Sequence, residues 1–96
     1  MIMTKKELIK KVHEEMKVYP AKDISYAVQL IFDSMTGALK RNERIEIRGF
    51  GNITVRIRKP IMGRNPKTAS LVHVPGRKVP FFKGGKELKE MINGPA

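Results

Sequence analysis

The sequence has no cysteine and no tryptophan, two histidines, and only two tyrosines and four phenylalanines. Without cysteine there is neither a disulfide staple nor a thiolate nucleophile. His13 and His73 stand alone, with no patterned carboxylate beside either, so neither a metal set nor an acid–base pair is expected. No catalytic residue, cofactor or small-molecule substrate is therefore assigned. No apolar run approaches the ~18 residues of a membrane span, and Met1-Ile2-Met3-Thr4-Lys5-Lys6-Glu7 lacks the apolar core of a signal peptide. A cytoplasmic chain without membrane contact is expected. The most informative absence lies further on: between Ile47 and Lys86 there is no Asp and no Glu.

Those forty positions hold ten basic residues: Arg48, Arg56, Arg58, Lys59, Arg64, Lys67, Arg77, Lys78, Lys83 and Lys86. Ten cations without a compensating acid repel one another, and a fold tolerates them most readily where an anion lies. The net charge of +11 is split unevenly, +2 over residues 1–40 and +9 over residues 41–96. Such asymmetry points to a nucleic acid or an acidic membrane surface as the partner, and of the two a nucleic acid is expected. Lysine and arginine neutralise phosphates and release counterions, which gives affinity independent of sequence. At 96 residues the chain makes one domain, near the size where extra burial through oligomerisation helps.

Thr4-Lys5-Lys6-Glu7 is a capping-box pattern, and Leu8, Val12 and Met16 behind it recur at helical spacing. Tyr19-Pro20 closes this helix and opens a second, expected from about Ala21 to Lys40. Ile24, Val28, Ile31, Met35 and Leu39 form its main stripe, widened by Ala27, Leu30, Phe32 and Ala38. So wide a face exceeds what a chain this small can cover, which implies a subunit interface and a two-fold dimer. The expected dimer core is Val28, Ile31, Phe32, Met35, Leu39, Ile45, Ile47, Phe50 and Phe82.

Arg44-Ile45-Glu46-Ile47-Arg48 alternates as a half-buried strand, and Gly49-Phe50-Gly51-Asn52 is expected to be a tight turn. Ile53, Val55 and Ile57 alternate with Thr54, Arg56 and Arg58 in a second strand, which puts Arg56 and Arg58 on one face. The chain then runs out to Gly63-Arg64-Asn65-Pro66-Lys67-Thr68 and returns through Ala69–Val74 and Arg77–Phe82. This is a long basic hairpin. Pro60, Pro75 and Pro80 remove ladder donors and confine these segments to edge or two-stranded positions. Pro66 serves either as a turn residue or as a rigid wedge between stacked base pairs. A short helix from Gly85 to about Asn93 ends the chain. The fold class is α+β. A helical base (4–42) precedes a three-stranded antiparallel sheet carrying the long hairpin arm (43–83, tip about 59–74) and a C-terminal helix (84–93). A basic β-hairpin also suits an RNA-binding or ribosome-associated protein, but such proteins usually stack bases on exposed aromatics, which are scarce here.

Three motifs in register, Arg48-Gly49-Phe50-Gly51-Asn52, Gly63-Arg64-Asn65-Pro66-Lys67-Thr68 and Val79-Pro80-Phe81-Phe82-Lys83 with Gly85-Lys86-Glu87-Leu88, resemble the bacterial HU/integration host factor family. The resemblance runs from Thr4 to Asn93. It implies an intertwined dimer, with itself or with a related α-type chain, whose two arms embrace DNA through the minor groove in the bacterial nucleoid. It implies that Pro66 intercalates and that Arg56, Arg58, Arg64, Asn65 and Lys67 are arm contacts. Lys83 and Lys86, with the start of the last helix, grip flanking phosphates. Lys6, Lys59, Thr68, Arg77 and Lys78 complete the expected DNA-contacting set. Glu43 to Gly51 and Pro20-Ala21-Lys22 look most like the β-type subunit of integration host factor. Arg48 stands where that subunit helps discriminate its site, whereas HU proteins commonly carry an apolar residue there; HU-type binding without sequence preference is the alternative. Ala69 stands where the family usually has glycine, Ile53 where it has phenylalanine, and Gly84 where proline is common. Pro75-Gly76 is expected to bend the returning strand.

Overall fold

Thr4 takes an extended conformation, and its hydroxyl accepts from the Glu7 amide at 3.2 Å, capping helix α1, Lys5–Glu15. In the computed structural model, which describes residues 2–68 and 70–94 and only the backbone of Val74, the chain divides into two compact units, Met1–Gly37 and Ala38–Ala96. Pro20 then opens helix α2, Ala21–Lys40, its carbonyl accepting from Asp23 and Ile24. Both helices fall where the periodicity puts them. In the first unit, Lys5 Nζ donates to Gln29 Oε1, and a His13 ring nitrogen lies 3.1 Å from the Tyr19 carbonyl. Ile24 and Val28 are the buried apolar side chains among the described residues. Each is worth about 1.5–3 kcal/mol of burial. The rest of the α2 stripe stays open in the single chain: Leu30, Ile31 and Phe32 are all exposed.

Helix α2 ends in a Schellman turn. The Asn42 amide donates to Leu39 and the Glu43 amide to Ala38, with Asn42 left-handed at φ 61°. Arg41 Nε then bonds Glu43 Oε1 at 2.9 Å, and this hydrogen bond holds the Glu43 carboxyl below its ordinary range. Strand β1, Ile45–Ile47, follows. The turn after it comprises Arg48, Gly49 and Phe50, closed by the Phe50 amide on the Ile47 carbonyl. Gly49 supplies the positive φ (82°) that the turn requires. The expected four-residue turn is thereby corrected: Gly51 and Asn52 already belong to strand β2, Gly51–Arg58.

The remaining strands are β3, Ile61–Arg64; β4, Leu71–Val74; and β5, Arg77–Gly84. They form a three-stranded antiparallel sheet, β1-β2-β5, and a separate two-stranded ladder, β3-β4. Pairing between β2 and β5 runs from Gly51↔Gly84 to Arg58↔Arg77, and resumes in the same register at Ile61↔Val74. The hairpin is therefore one element with a joint. Across the break the register sets Pro60 opposite Pro75, where neither residue has an N–H to give the ladder. Pro75-Gly76, where the sequence suggests a bend, falls at this interruption of the pairing. Helix α3, Lys86–Asn93, starts where the Gly85 amide donates to the Phe50 carbonyl at 2.9 Å.

Candidate nucleic-acid interface

The antiparallel register sorts the sheet's side chains into two chemically distinct faces. One face carries Ile45, Ile47, Ile53, Val55, Ile57, Pro80 and Phe82. The other carries Glu46, Asn52, Thr54, Arg56, Arg58, Arg77, Val79, Phe81 and Lys83. Arg56 and Arg58 share a face as their alternation requires, and the register adds Arg77 and Lys83 beside them. Arg58 and Arg77 sit directly opposite each other, a like-charge pair that a sheet normally avoids. The Arg56 guanidinium lies 3.5 Å from the centre of the Phe81 ring. That cation–π contact is worth about 0.5–1 kcal/mol and holds the guanidinium over the ring.

Lys78 falls on the apolar face instead, where its Nζ donates to the Lys40 carbonyl at the end of α2 (3.3 Å). A cation there satisfies an orphan helix carbonyl and complements the helix dipole. Arg48 is exposed at the second position of the β1–β2 turn. Lys6 is exposed on α1, beside a shallow groove with Ile9, Lys10, His13 and Ala21.

At the near end of the cationic face a cleft of about 470 Å³ opens between the sheet and the first turn of α3. Arg44, Asn52, Lys83, Lys86 and Lys89 line it together with Gly84, Gly85 and one carboxylate, Glu90. Arg44 is braced by Glu46 at 3.0 Å, and the Asn52 amide, oriented to satisfy its surroundings, accepts from Arg44 Nη2 at 2.9 Å. The sequence places Lys83 and Lys86 here, but its reading misses Arg44, Asn52 and Lys89. Signals for two of them are present: Arg44 has the strand parity of Glu46, and Lys89 lies one helical turn beyond Lys86. Asn52 is hidden once it is counted as part of a turn.

Gly51 makes the close approach of β2 to β5 beside the cleft possible. A Cβ there would lie 2.5 Å from the Lys83 carbonyl oxygen and 2.8 Å from the Phe82 ring. Phe82 in turn packs against Phe50, ring centroids 5.4 Å apart.

At the far end, the Asn65 amide donates to the Ser70 carbonyl at 2.8 Å and closes the tip. Asn65 Oδ1 accepts from the Lys67 amide, so this oxygen shapes the tip. Thr68 and Ser70 hydroxyls share a 2.6 Å hydrogen bond. Pro66, Lys67 and Thr68 are exposed, and Arg64 projects from the last position of β3. Ala69 lies outside the described residues. Lys59 is exposed at the joint.

This geometry can be set beside known proteins. The family model for bacterial DNA-binding proteins matches residues 3–93. The chain belongs to that family. Members with similar sequences include the integration host factor subunit beta of Azoarcus sp., 50% identical over 95% of this chain and 97% of the relative. The same subunit of Saccharophagus degradans is 50% identical over 95% and 93%. Among solved structures the chain is similar to Anabaena HU in its cocrystal with DNA, with a TM-score of 0.85, 30% identity and coverage of 97% of this chain and 100% of that one. A variant of HU from Thermotoga maritima matches with a TM-score of 0.68 and 34% identity, over 94% and 99%. The resemblance read from the three motifs is therefore family membership, and the α+β fold it implied is the observed one. No described helix is long and apolar enough to cross a membrane.

Proposed function

We propose that this chain is a DNA-bending architectural subunit of the bacterial nucleoid, most like the β-type subunit of integration host factor. The observation that carries the reading is the cationic sheet face continued by an in-register basic hairpin that ends on exposed Pro66. The whole of residues 1–96 acts as one module, working as a dimer with a second copy or with a related α-type chain. Two things support the dimer. Ile24 and Val28 are the only buried apolar side chains among the described residues, while Leu30, Ile31 and Phe32 on α2 and Ile47, Ile57 and Phe82 on the apolar sheet face stay exposed.

In the mechanism, each arm lies along the minor groove with Arg56, Arg58, Arg77, Lys59, Arg64 and Lys67 against the phosphates. Lys83, Lys86 and Lys89, with Arg44 and Asn52, take a flanking phosphate in the cleft at the start of α3. Neutralising one side of the duplex favours bending toward it. Pro66 enters a base step and unstacks it, a device available to a rigid apolar ring held at the end of a closed turn. Smooth bending of such a site costs about 1–6 kcal/mol, and the phosphates that the bend brings against the body offset it. Arg48, in the β1–β2 turn, is the residue placed to add sequence preference.

Pro66→Ala separates wedge from grip. It leaves every cation in place, so the salt dependence of binding is unchanged, while energy transfer between dyes at the two DNA ends falls. Unchanged transfer in the variant would remove the wedge from the mechanism.

A further inference from the structure

Arg48 stands in a turn that another element holds. The turn is Arg48, Gly49 and Phe50, and the Phe50 amide on the Ile47 carbonyl closes it at 3.0 Å. The start of α3 ties it from outside, through the Gly85 amide on the Phe50 carbonyl. A second tie comes from a side chain. Glu87, in the first turn of α3, sets its carboxylate over Gly49: a Cβ there would meet Glu87 Oε2 at 3.0 Å. No cation accounts for that placement, because the ion pairs among the described residues are Arg41–Glu43 and Arg44–Glu46. Arg48 is exposed and has no acid partner among them either, so the backbone of its turn decides where its guanidinium points.

Glycine is needed at 49 because φ is 82°, and the same glycine leaves the backbone beside Arg48 free to swing. The Glu87 carboxylate takes up the space a side chain would have filled and removes that freedom. We infer that Glu87 is a positioning residue for Arg48: by filling the space over Gly49 it fixes the turn that presents the arginine, and so raises sequence preference without touching DNA; this rests on the reading of Arg48 given above. An acid at this place also suits the positive end of the helix dipole, a role that stabilises α3 and leaves DNA selection untouched. The two roles differ in what they need. Positioning needs the shape of the side chain, which glutamine shares. The dipole needs its charge, which glutamine lacks.

The test uses the full chain, in the dimer it forms, and two duplexes: one enriched by the wild-type protein from a random pool, and a scramble of it. Arg48→Ala is expected to cost about tenfold in preference for the enriched duplex, the scale of one base pair in a site. Glu87→Ala loses about three- to fivefold, since a loosened arginine keeps part of its contact, while affinity for the scramble and the salt slope hold. Glu87→Gln keeps the preference to within about twofold of wild type. Without DNA, hydrogen exchange at the Phe50 amide reads the turn itself: faster in Glu87→Ala, unchanged in Glu87→Gln. The inference is overturned if Glu87→Ala keeps the full preference, even with a less stable α3. It also falls if Glu87→Gln loses as much as Glu87→Ala, which would assign the effect to charge. If the pool yields no preferred duplex, or Arg48→Ala keeps the preference, it is the reading of Arg48 that fails, and the inference with it.

Discussion

Gly51 shows how one missing methyl holds the candidate interface together. Its backbone passes against the Lys83 carbonyl and the Phe82 ring, at distances no Cβ could occupy. Phe82 then reaches Phe50, and the Phe50 carbonyl anchors the amide of Gly85 ahead of α3. Gly51→Ala is therefore expected to cost about 1–3 kcal/mol, as overpacking in a filled site does. Denaturant melts of wild type and variant measure it directly, and a variant of unchanged midpoint would mean the β2–β5 contact relaxes freely. Arg56 illustrates a different control. Stacking on Phe81 fixes where its charge sits, so under the proposed function Phe81→Ala is expected to weaken DNA binding through Arg56, a loss that binding titrations would measure.

Among the elements, the end of α2 and the arm are each decided by a few backbone positions. Asn42 is the left-handed residue that lets the helix stop and β1 begin, and asparagine tolerates that conformation better than branched residues do. Asn42→Gly is expected to be near neutral, whereas Asn42→Val should lose about 1–2 kcal/mol. Thermal melts of the pair check this; equal stabilities would show that the Schellman turn contributes little. In the arm, the shared register across Pro60 and Pro75 matters more than the break itself. Since the pairing does not slip, the parity of every cation beyond the joint is preserved, and the joint interrupts the ladder without shifting its register.

Over the whole molecule, the balance of burial sets the expectations. A chain with two buried apolar side chains among its described residues and with Leu30, Ile31 and Phe32 exposed on α2 has little core of its own, and the proposed dimer would supply the rest. Ile31, 58% exposed on that stripe, is the sensitive position. Ile31→Glu should abolish the two-chain species in sedimentation and lower the folded fraction in circular dichroism together. An ordinary exposed substitution would stay within about 0.5 kcal/mol, and that result would move the interface elsewhere. Sedimentation of the unmodified chain alone distinguishes a homodimer from a chain that needs an α-type partner. A monomer that pairs only on adding such a chain is the heterodimer outcome.

What the sequence alone determined is whatever rests on neighbours in the chain. Helices at Lys5–Glu15 and Ala21–Lys40 follow from caps, a proline and a 3.6-residue stripe. The arm follows from alternation, and the polyanion partner follows from ten cations without an acid. The misplaced end of the β1–β2 turn marks the limit. Two glycines around an aromatic look like loop, and only the approach of Phe82 shows that Gly51 is a strand residue needing no side chain. Which cations act together was likewise decided in three dimensions. Register between β2 and β5 put Arg56, Arg58, Arg77 and Lys83 on one face and sent Lys78 to the end of α2. The α3 start gathered Arg44, Asn52 and Lys89, distant in sequence, around one cleft. Local spacing encodes a residue's face within its own strand; pairing across strands sets which faces meet, and that depends on contacts far apart along the chain.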